Sequence, residues 1–246
     1  MNLILKINRK LFDIKVKYNQ ILTILKYNKI TYYLKFFKEN SVKIGFHIFY
    51  IEDKKILYTS IPKTGCSTIK SSLINNMISS NAKLTMERVH AKNNMTRIEN
   101  INIFKGIIKD SYKFTFVRNP YTRILSAYLD KVKRGSYSYG NINKDISFVN
   151  FLQELDNGLL FNNSHFIPQS LFFIYKFDFI GKFENLEEDL KRIKGIEEIK
   201  TLNPHKTNSS SKLEEYYCEE SISLVKKIYK IDFDLLNYST DFKLLV

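Results

Sequence analysis

With 246 residues, 44% of them hydrophobic and 14% aromatic, the chain can bury a proper core, and eight glycines, four prolines and no linker or repeat give no obvious place to divide it. The formal charge of +14 implies an acidic partner (nucleotide, acidic glycan, nucleic acid or anionic membrane), but 32 lysines against 7 arginines suit a diffuse basic surface and weigh against sequence-specific DNA reading. Two cysteines, Cys66 and Cys218, exclude a disulfide framework and point to a reducing compartment, no metal-ligand spacing occurs, and no run of about 18 apolar residues reads as a transmembrane helix.

Residues 1–44 form a basic N-terminal extension; up to Gly45 the chain carries ten basic and two acidic residues, interleaved with Leu, Ile, Phe and Tyr. Two readings stand: a basic amphipathic helix in peripheral contact with a membrane or acidic glycan, or a helical extension packed on the domain with its lysines in water. Residues 45–246 read as a single domain. From Gly45 to Ile61, GFHIFYI, EDKK and ILYTSI predict two strands around a charged turn, with His47 packed in the first.

The stretch YTSIPKTGCSTIKSS, Tyr58 to Ser72, is an anion cradle. A buried strand ends at Pro62, Gly65 permits a turn that crowds no Cβ against a ligand, and a helix over 67–79 follows, capped by Ser67 or Cys66 with Ile69, Leu73 and Met77 as its stripe. Unpaired amide hydrogens and partial positive charge at a helix start favour phosphate or sulfate. Lys63, Thr64, Ser67 and Thr68 add an ammonium and three hydroxyls. In a Walker A loop the lysine follows the second glycine, whereas Lys63 precedes the one glycine here; a cysteine phosphatase loop needs an arginine where Ser72 stands.

Residues 81–94 are polar and contain Arg88 and His90, and a helix is expected over 98–109. YKFTFV, Tyr112 to Val117, is a strand ending at Arg118; Asn119 caps a helix with Pro120 as its first residue. On that helix Ser126 shares a face with Arg123 and Asn119 and can point back toward Arg118, so one serine and one arginine can hold one phosphate. Ser147 caps a short helix through Leu155, FNNSHFIPQS carries His165, FDFIGKF is a strand, and NLEEDLKRI is a helix with acidic residues in its first turn. Residues 201–212 read as a mobile polar loop and 213–229 as one helical pattern, before IDFDLLNY. Strands alternating with helices argue for α/β architecture, a three-layer α/β/α fold with a mainly parallel sheet.

Four landmarks in order, IPKTGCSTIK, FTFVRNPYTRILSAY, NNSHFIPQ with FDFIGKFENLEED, and IYKIDFDLLNY, resemble the carbohydrate sulfotransferases that use 3′-phosphoadenosine 5′-phosphosulfate (PAPS), both Golgi chondroitin/dermatan-type and bacterial relatives. The likeness runs from about Ile51 to the C-terminus. It implies a P-loop-like fold, PAPS as co-substrate, no metal, and sulfation of sugar hydroxyls. By this resemblance Lys63, Thr64, Gly65, Cys66, Ser67 and Thr68 hold the 5′ phosphosulfate, and Arg118 with Ser126 holds the 3′ phosphate. Golgi relatives have a membrane anchor that this chain does not show, so a cytoplasmic location, with peripheral membrane contact through the basic extension, is the expectation. Many of them also have a cysteine pair where this chain has Leu171 to Tyr175, and a tryptophan where Phe166 stands. These departures bear on the acceptor site, not the donor site.

Sulfuryl transfer needs aligned oxygens and positive charge where charge develops, a role for Lys63, and a base for the acceptor hydroxyl. Histidine titrates near neutrality, and four are available: 47, 90, 165 and 205. His90 lies between the two nucleotide motifs, where the resemblance implies the catalytic histidine; His165, in the third landmark, is the alternative. The expected acceptor is a carbohydrate, acidic or lipid-linked, with no nucleic acid partner. Two other classes compete, a P-loop kinase or ATPase and a basic nucleic-acid binder. The first lacks its lysine position and a clear Mg²⁺-holding carboxylate, and the second has no recognition motif.

Overall fold

The computed structural model describes residues 47–77, 96–97, 101–173, 175–200 and 208–245. The basic segment 1–44, the polar stretch 81–94 with His90, and His205 lie outside the described residues. The described residues form two compact units. One draws on those between 47 and 117 and between 172 and 200, the other on those between 118 and 171 and between 208 and 245.

The sheet belongs to the first unit. Its strands are β1 (Ile48–Ile51), β2 (Ile56–Thr59), β3 (Thr96–Arg97), β4 (Tyr112–Val117) and β5 (Phe179–Lys182), in the order β3-β1-β2-β4-β5. β1 and β2 are the expected hairpin, turned by Glu52–Lys54 and by Lys55 in the left-handed region. β2, β4 and β5 run parallel, while β1 and β3 add an antiparallel flank. The helices in chain order are α1 (Cys66–Met77), α2 (Ile101–Asp110), α3 (Pro120–Ala127), α4 (Phe148–Asp156), α5 (Leu186–Lys191), α6 (Leu213–Tyr216), α7 (Glu219–Ile228) and α8 (Lys230–Leu236).

Strand alternation sets the core of the first unit. Phe49, Ile51, Ile56, Tyr58, Phe114 and Phe116 project to one face of the sheet and pack with Ile69, Leu73 and Ile74 of α1 and with Leu190, Ile193 and Ile196. The alternate residues Ile48, Leu57, Thr59, Thr115 and Val117 are buried too, so the strands read as near-continuous apolar runs, as a sheet covered on both faces requires. This is the α/β fold that the motif order implies. At Gly181, register partner of Phe116, an added Cβ would stand 2.4 Å from the Phe116 ring, which explains a glycine inside FDFIGKF.

In the second unit Asn119 caps α3 as expected, its side chain accepting the Tyr121 N–H at 3.0 Å, with Pro120 first in the helix. Every residue of α3 is buried. Tyr121 packs against Tyr217, Phe233 and Phe242, and Tyr128, in the π-helical turn that continues α3, packs against Phe148 and Phe151 of α4. Two expectations need correction here. The pattern over 213–229 is two helices, α6 and α7, broken at Tyr217 in extended backbone, because the Tyr217 hydroxyl donates to the Tyr121 carbonyl at 2.8 Å and its ring packs on Phe242. Cys218 then starts α7 in a reciprocal cap with Ser221. The second correction concerns the end of the 201–212 loop, where Ser209–Lys212 forms a 3-10 turn with Ser209 buried.

Candidate active site

In the first unit β2 leads into residues 60–65 and then α1. The Ser60 amide donates to the His47 carbonyl at 2.7 Å, and His47 Nδ1 meets the Ser60 carbonyl at 3.1 Å. His47 is thus a packed residue that anchors the loop entry, its ring edge-on to Phe172. The Thr64 hydroxyl, fully buried, donates to the Ile61 carbonyl at 2.9 Å and closes the turn over Pro62 and Lys63. Lys63 at φ 69° and Gly65 at φ 83° both lie in the left-handed region, an arrangement that costs a lysine about 1–2 kcal/mol. Such strain gathers at functional sites.

The Gly65 carbonyl accepts the Ile69 N–H at 3.0 Å, so Gly65 occupies the cap position and Cys66 begins the helix, rather than Ser67 or Cys66 capping it. The turn geometry decides this, because a residue at φ 83° favours glycine over a hydroxyl-bearing cap. The amides of Cys66, Ser67 and Thr68 precede the first internal helical bond, and Lys63, Ser67 and Thr68 are half-exposed. A helix of twelve residues starts here, its first turn carrying Ser67 and Thr68 and preceded by Lys63, the kind of helix start that favours an anion. Beneath it, stacked on Phe114 at 5.0 Å, Tyr58 holds a buried hydroxyl without a formed hydrogen bond. Burial raises its pKa well above the ordinary 10.0 and Cys66 adds to the shift, while the nearby Ser60 hydroxyl opposes it.

In the second unit Arg118 is 6% exposed. Its Nε donates to Thr122 Oγ1 at 3.0 Å, and its Nη2 to Ser209 Oγ at 2.8 Å and Ser210 Oγ at 3.5 Å. Thr122 and Ser126 lie four residues apart on α3 and share a helical face, so the guanidinium is fixed on the face that carries Ser126. Ser126 itself is buried. Arg123, one residue beyond Thr122, turns elsewhere, its Nη1 donating to the Ile167 carbonyl at 3.0 Å.

His165, half-buried, also belongs to this unit. Its backbone N–H donates to Asn163 Oδ1 at 3.0 Å, which identifies that atom as the amide oxygen, and its Nδ1 lies 2.8 Å from the same oxygen. An amide oxygen only accepts, so Nδ1 carries the proton and Nε2 is the basic nitrogen of the neutral ring. His90 lies outside the described residues.

Sequence reasoning missed Thr122, Ser209, Ser210 and Gln169. Thr122 had a readable signal, being one turn from Ser126 on the same face. The serine run had none, because three consecutive serines read as solvated loop until a guanidinium from 91 residues earlier is placed on them. Gln169 brackets the Arg118 peptide, its Oε1 accepting the Arg118 N–H and its Nε2 donating to the Arg118 carbonyl, both at 2.8 Å.

Comparison with known proteins bears on what these parts serve. The chain is 27% identical over 237 residues to carbohydrate sulfotransferase 9 of Homo sapiens, a match covering 78% of this chain and 53% of that protein. It is 25% identical over 237 residues to carbohydrate sulfotransferase 8 of Mus musculus, covering 78% and 57%, and 24% identical over 233 residues to carbohydrate sulfotransferase 14 of Danio rerio, covering 78% and 62%. The chain thus spans little more than half the length of the first of these relatives. No solved structure matches it. A family model matches residues 46–239, a span that takes in the cradle, Arg118 and the frame around it, and by that match the chain belongs to the sulfotransferase family.

Proposed function

We propose that the protein transfers the sulfuryl group of PAPS to a hydroxyl of a carbohydrate acceptor. The observation that carries this reading is the cradle at the start of α1, where a strained Lys63 and a left-handed Gly65 precede half-exposed Ser67 and Thr68, in a chain of the sulfotransferase family. Lys63, Gly65, Ser67, Thr68 and the first-turn amides are proposed to hold the 5′ phosphosulfate, with Thr64 and Cys66 shaping the loop. Arg118 and Ser126 are proposed to hold the 3′ phosphate. The names of the relatives support a carbohydrate acceptor, and the charge of +14 supports an acidic or lipid-linked one.

In the reaction the acceptor oxygen attacks sulfur, an O–S bond forms as the bond from sulfur to the bridging phosphate oxygen breaks, and adenosine 3′,5′-bisphosphate departs. Lys63 neutralises the charge growing on that oxygen. The acceptor proton passes to a general base. His90 is our first candidate; His165 is the alternative, with Asn163 holding its Nε2 in the basic form.

The test is transfer of radiolabelled sulfate from PAPS to a glycan panel, together with calorimetry of adenosine 3′,5′-bisphosphate against ATP with and without Mg²⁺. The reading expects transfer to a glycan and preference for the bisphosphate without a metal requirement. Equal affinity for the two nucleotides, or strict dependence on Mg²⁺, would replace it with a P-loop kinase or ATPase.

A further inference from the structure

Arg118 follows β4 directly and precedes the cap of α3, so its peptide belongs to neither element and its N–H and C=O need partners from elsewhere. Gln169 supplies both through the two-point contact that a neighbouring strand would otherwise make. Gln169 is fully buried, and so is Ser170. Their backbone amides, at the start of the 3-10 turn Gln169–Phe172, both donate to the Asp232 carboxylate, at 2.8 Å to Oδ2 and 2.9 Å to Oδ1. The Gln169 Nε2 also reaches Oδ2 at 3.4 Å. Asp232 is buried within α8, and every contact above lies within the second unit.

A carboxylate in this position is costly. Burial raises its pKa above the ordinary carboxylate value, and the charge of Arg123 and the two amide hydrogen bonds offset only part of that rise. An apolar side chain would fit the neighbourhood of Ile231, Phe233 and Leu236 without that cost, yet could not fix the orientation of two amides. What the carboxylate provides is a defined position for Gln169, and what Gln169 provides is a defined position for the Arg118 peptide. From the other side Thr122 and Ser209 hold the guanidinium. Arg118 is therefore clamped at both its backbone and its side chain.

We propose that Gln169, oriented by the carboxylate of Asp232, is a positioning residue for Arg118 and thereby sets affinity for the 3′ phosphate of the nucleotide. This rests on the reading of Arg118 given under Proposed function. It also gives a physical reason for two landmarks far apart in sequence, NNSHFIPQ and IYKIDFDLLNY: they contribute the two halves of one frame.

The experiment compares binding of adenosine 3′,5′-bisphosphate with binding of adenosine 5′-monophosphate, which has no 3′ phosphate to offer, for the full chain and for Arg118→Ala, Gln169→Met, Asp232→Asn and the Arg118→Ala/Gln169→Met pair. Wild type should prefer the bisphosphate. Arg118→Ala should lose ~10- to 100-fold of that affinity, the range for hydrogen bonds to a charged group. Gln169→Met should lose about tenfold, with monophosphate affinity unchanged, and should add nothing in the Arg118→Ala background. Asp232→Asn keeps the shape of the carboxylate and should show the same selective loss in weaker form, which keeps the proposal open to test if Gln169→Met does not fold. A scaffold role alone would lower both affinities together and overturn the proposal, as would additive losses in the pair. If wild type shows no preference between the two nucleotides, or Arg118→Ala leaves it intact, the reading of Arg118 fails first and the positioning role falls with it. If Arg118→Ala removes the preference while Gln169→Met and Asp232→Asn retain it, only the positioning role is lost.

Discussion

Gly65→Ala is the perturbation whose cost the structure best defines. Two terms enter. At φ 83° an alanine sits in the left-handed region, which costs an L-residue about 1–2 kcal/mol. The added Cβ would also stand 2.9 Å from Leu186 Cδ2 and 3.2 Å from Phe183 Cδ2. Because the first of these atoms ends a flexible side chain, the repacking cost belongs at the low end of the overpacking range, about 1 kcal/mol. The expected loss is therefore about 2–3 kcal/mol, read as a shift in the urea unfolding midpoint followed by circular dichroism. Gly106→Ala is the internal control. Gly106 lies inside α2, its φ is not positive, and an added Cβ meets nothing within 4 Å, so alanine there should gain up to about 1 kcal/mol from helix propensity. Opposite signs at the two glycines are the outcome the geometry requires. A loss below about 1 kcal/mol at Gly65, or losses of equal size at both, would refute the loop geometry on which the proposed anion cradle depends.

Three further predictions concern Lys63, the candidate bases and the Asp178 carboxylate. Lys63→Ala and Lys63→Gly should lower kcat far more than they lower affinity for adenosine 3′,5′-bisphosphate, since the charge is needed most as the leaving phosphate develops; a raised KM with normal kcat would make Lys63 an anchor only. Of the two, Lys63→Gly should be the more stable by about 1 kcal/mol, because glycine relieves the φ of 69°, and equal stability would deny the strain. His90→Ala should reduce transfer by ~10²- to 10⁴-fold with nucleotide affinity unchanged, and the same result in His165→Ala with an active His90→Ala would transfer the base to the Asn163-oriented ring. The Asp178 carboxylate, although its burial works against ionisation, accepts the Lys113 amide at 2.8 Å and pairs with its Nζ at 2.9 Å, and the charges of Lys113 and Lys176 help to hold its pKa below 3.8. Since its side chain is 43% exposed, Asp178→Asn should cost no more than about 1 kcal/mol. That cost should be present above the ordinary carboxylate range and vanish as pH falls through the depressed folded value, so an undiminished cost in strong acid would contradict the pairing.

Which parts were legible from sequence follows from how local their causes are. β2 and β4 were readable because a strand covered on both faces needs an apolar run, and the start of α3 was readable because Asn119 and Pro120 act within one turn. The break at Tyr217 was not, since Tyr217 keeps helical spacing with its neighbours and leaves the helix only to reach the Tyr121 carbonyl, 96 residues away. The burial of Ser209 was hidden for the same reason, its partner Arg118 being equally remote. Asp232 differs from both, because its cue is local. In IDFDLL the two aspartates look alike, yet Asp234 lies on the exposed side, paired with Lys230 one turn back, whereas Asp232 falls with Tyr229, Phe233 and Leu236 at the three- and four-residue spacing of the buried stripe. An ionisable residue on an apolar stripe must be paired or hydrogen-bonded to persist there. That inference needs no structure and would have marked Asp232 as holding something. Only the fold could show that what it holds is Gln169, and through Gln169 the peptide of Arg118.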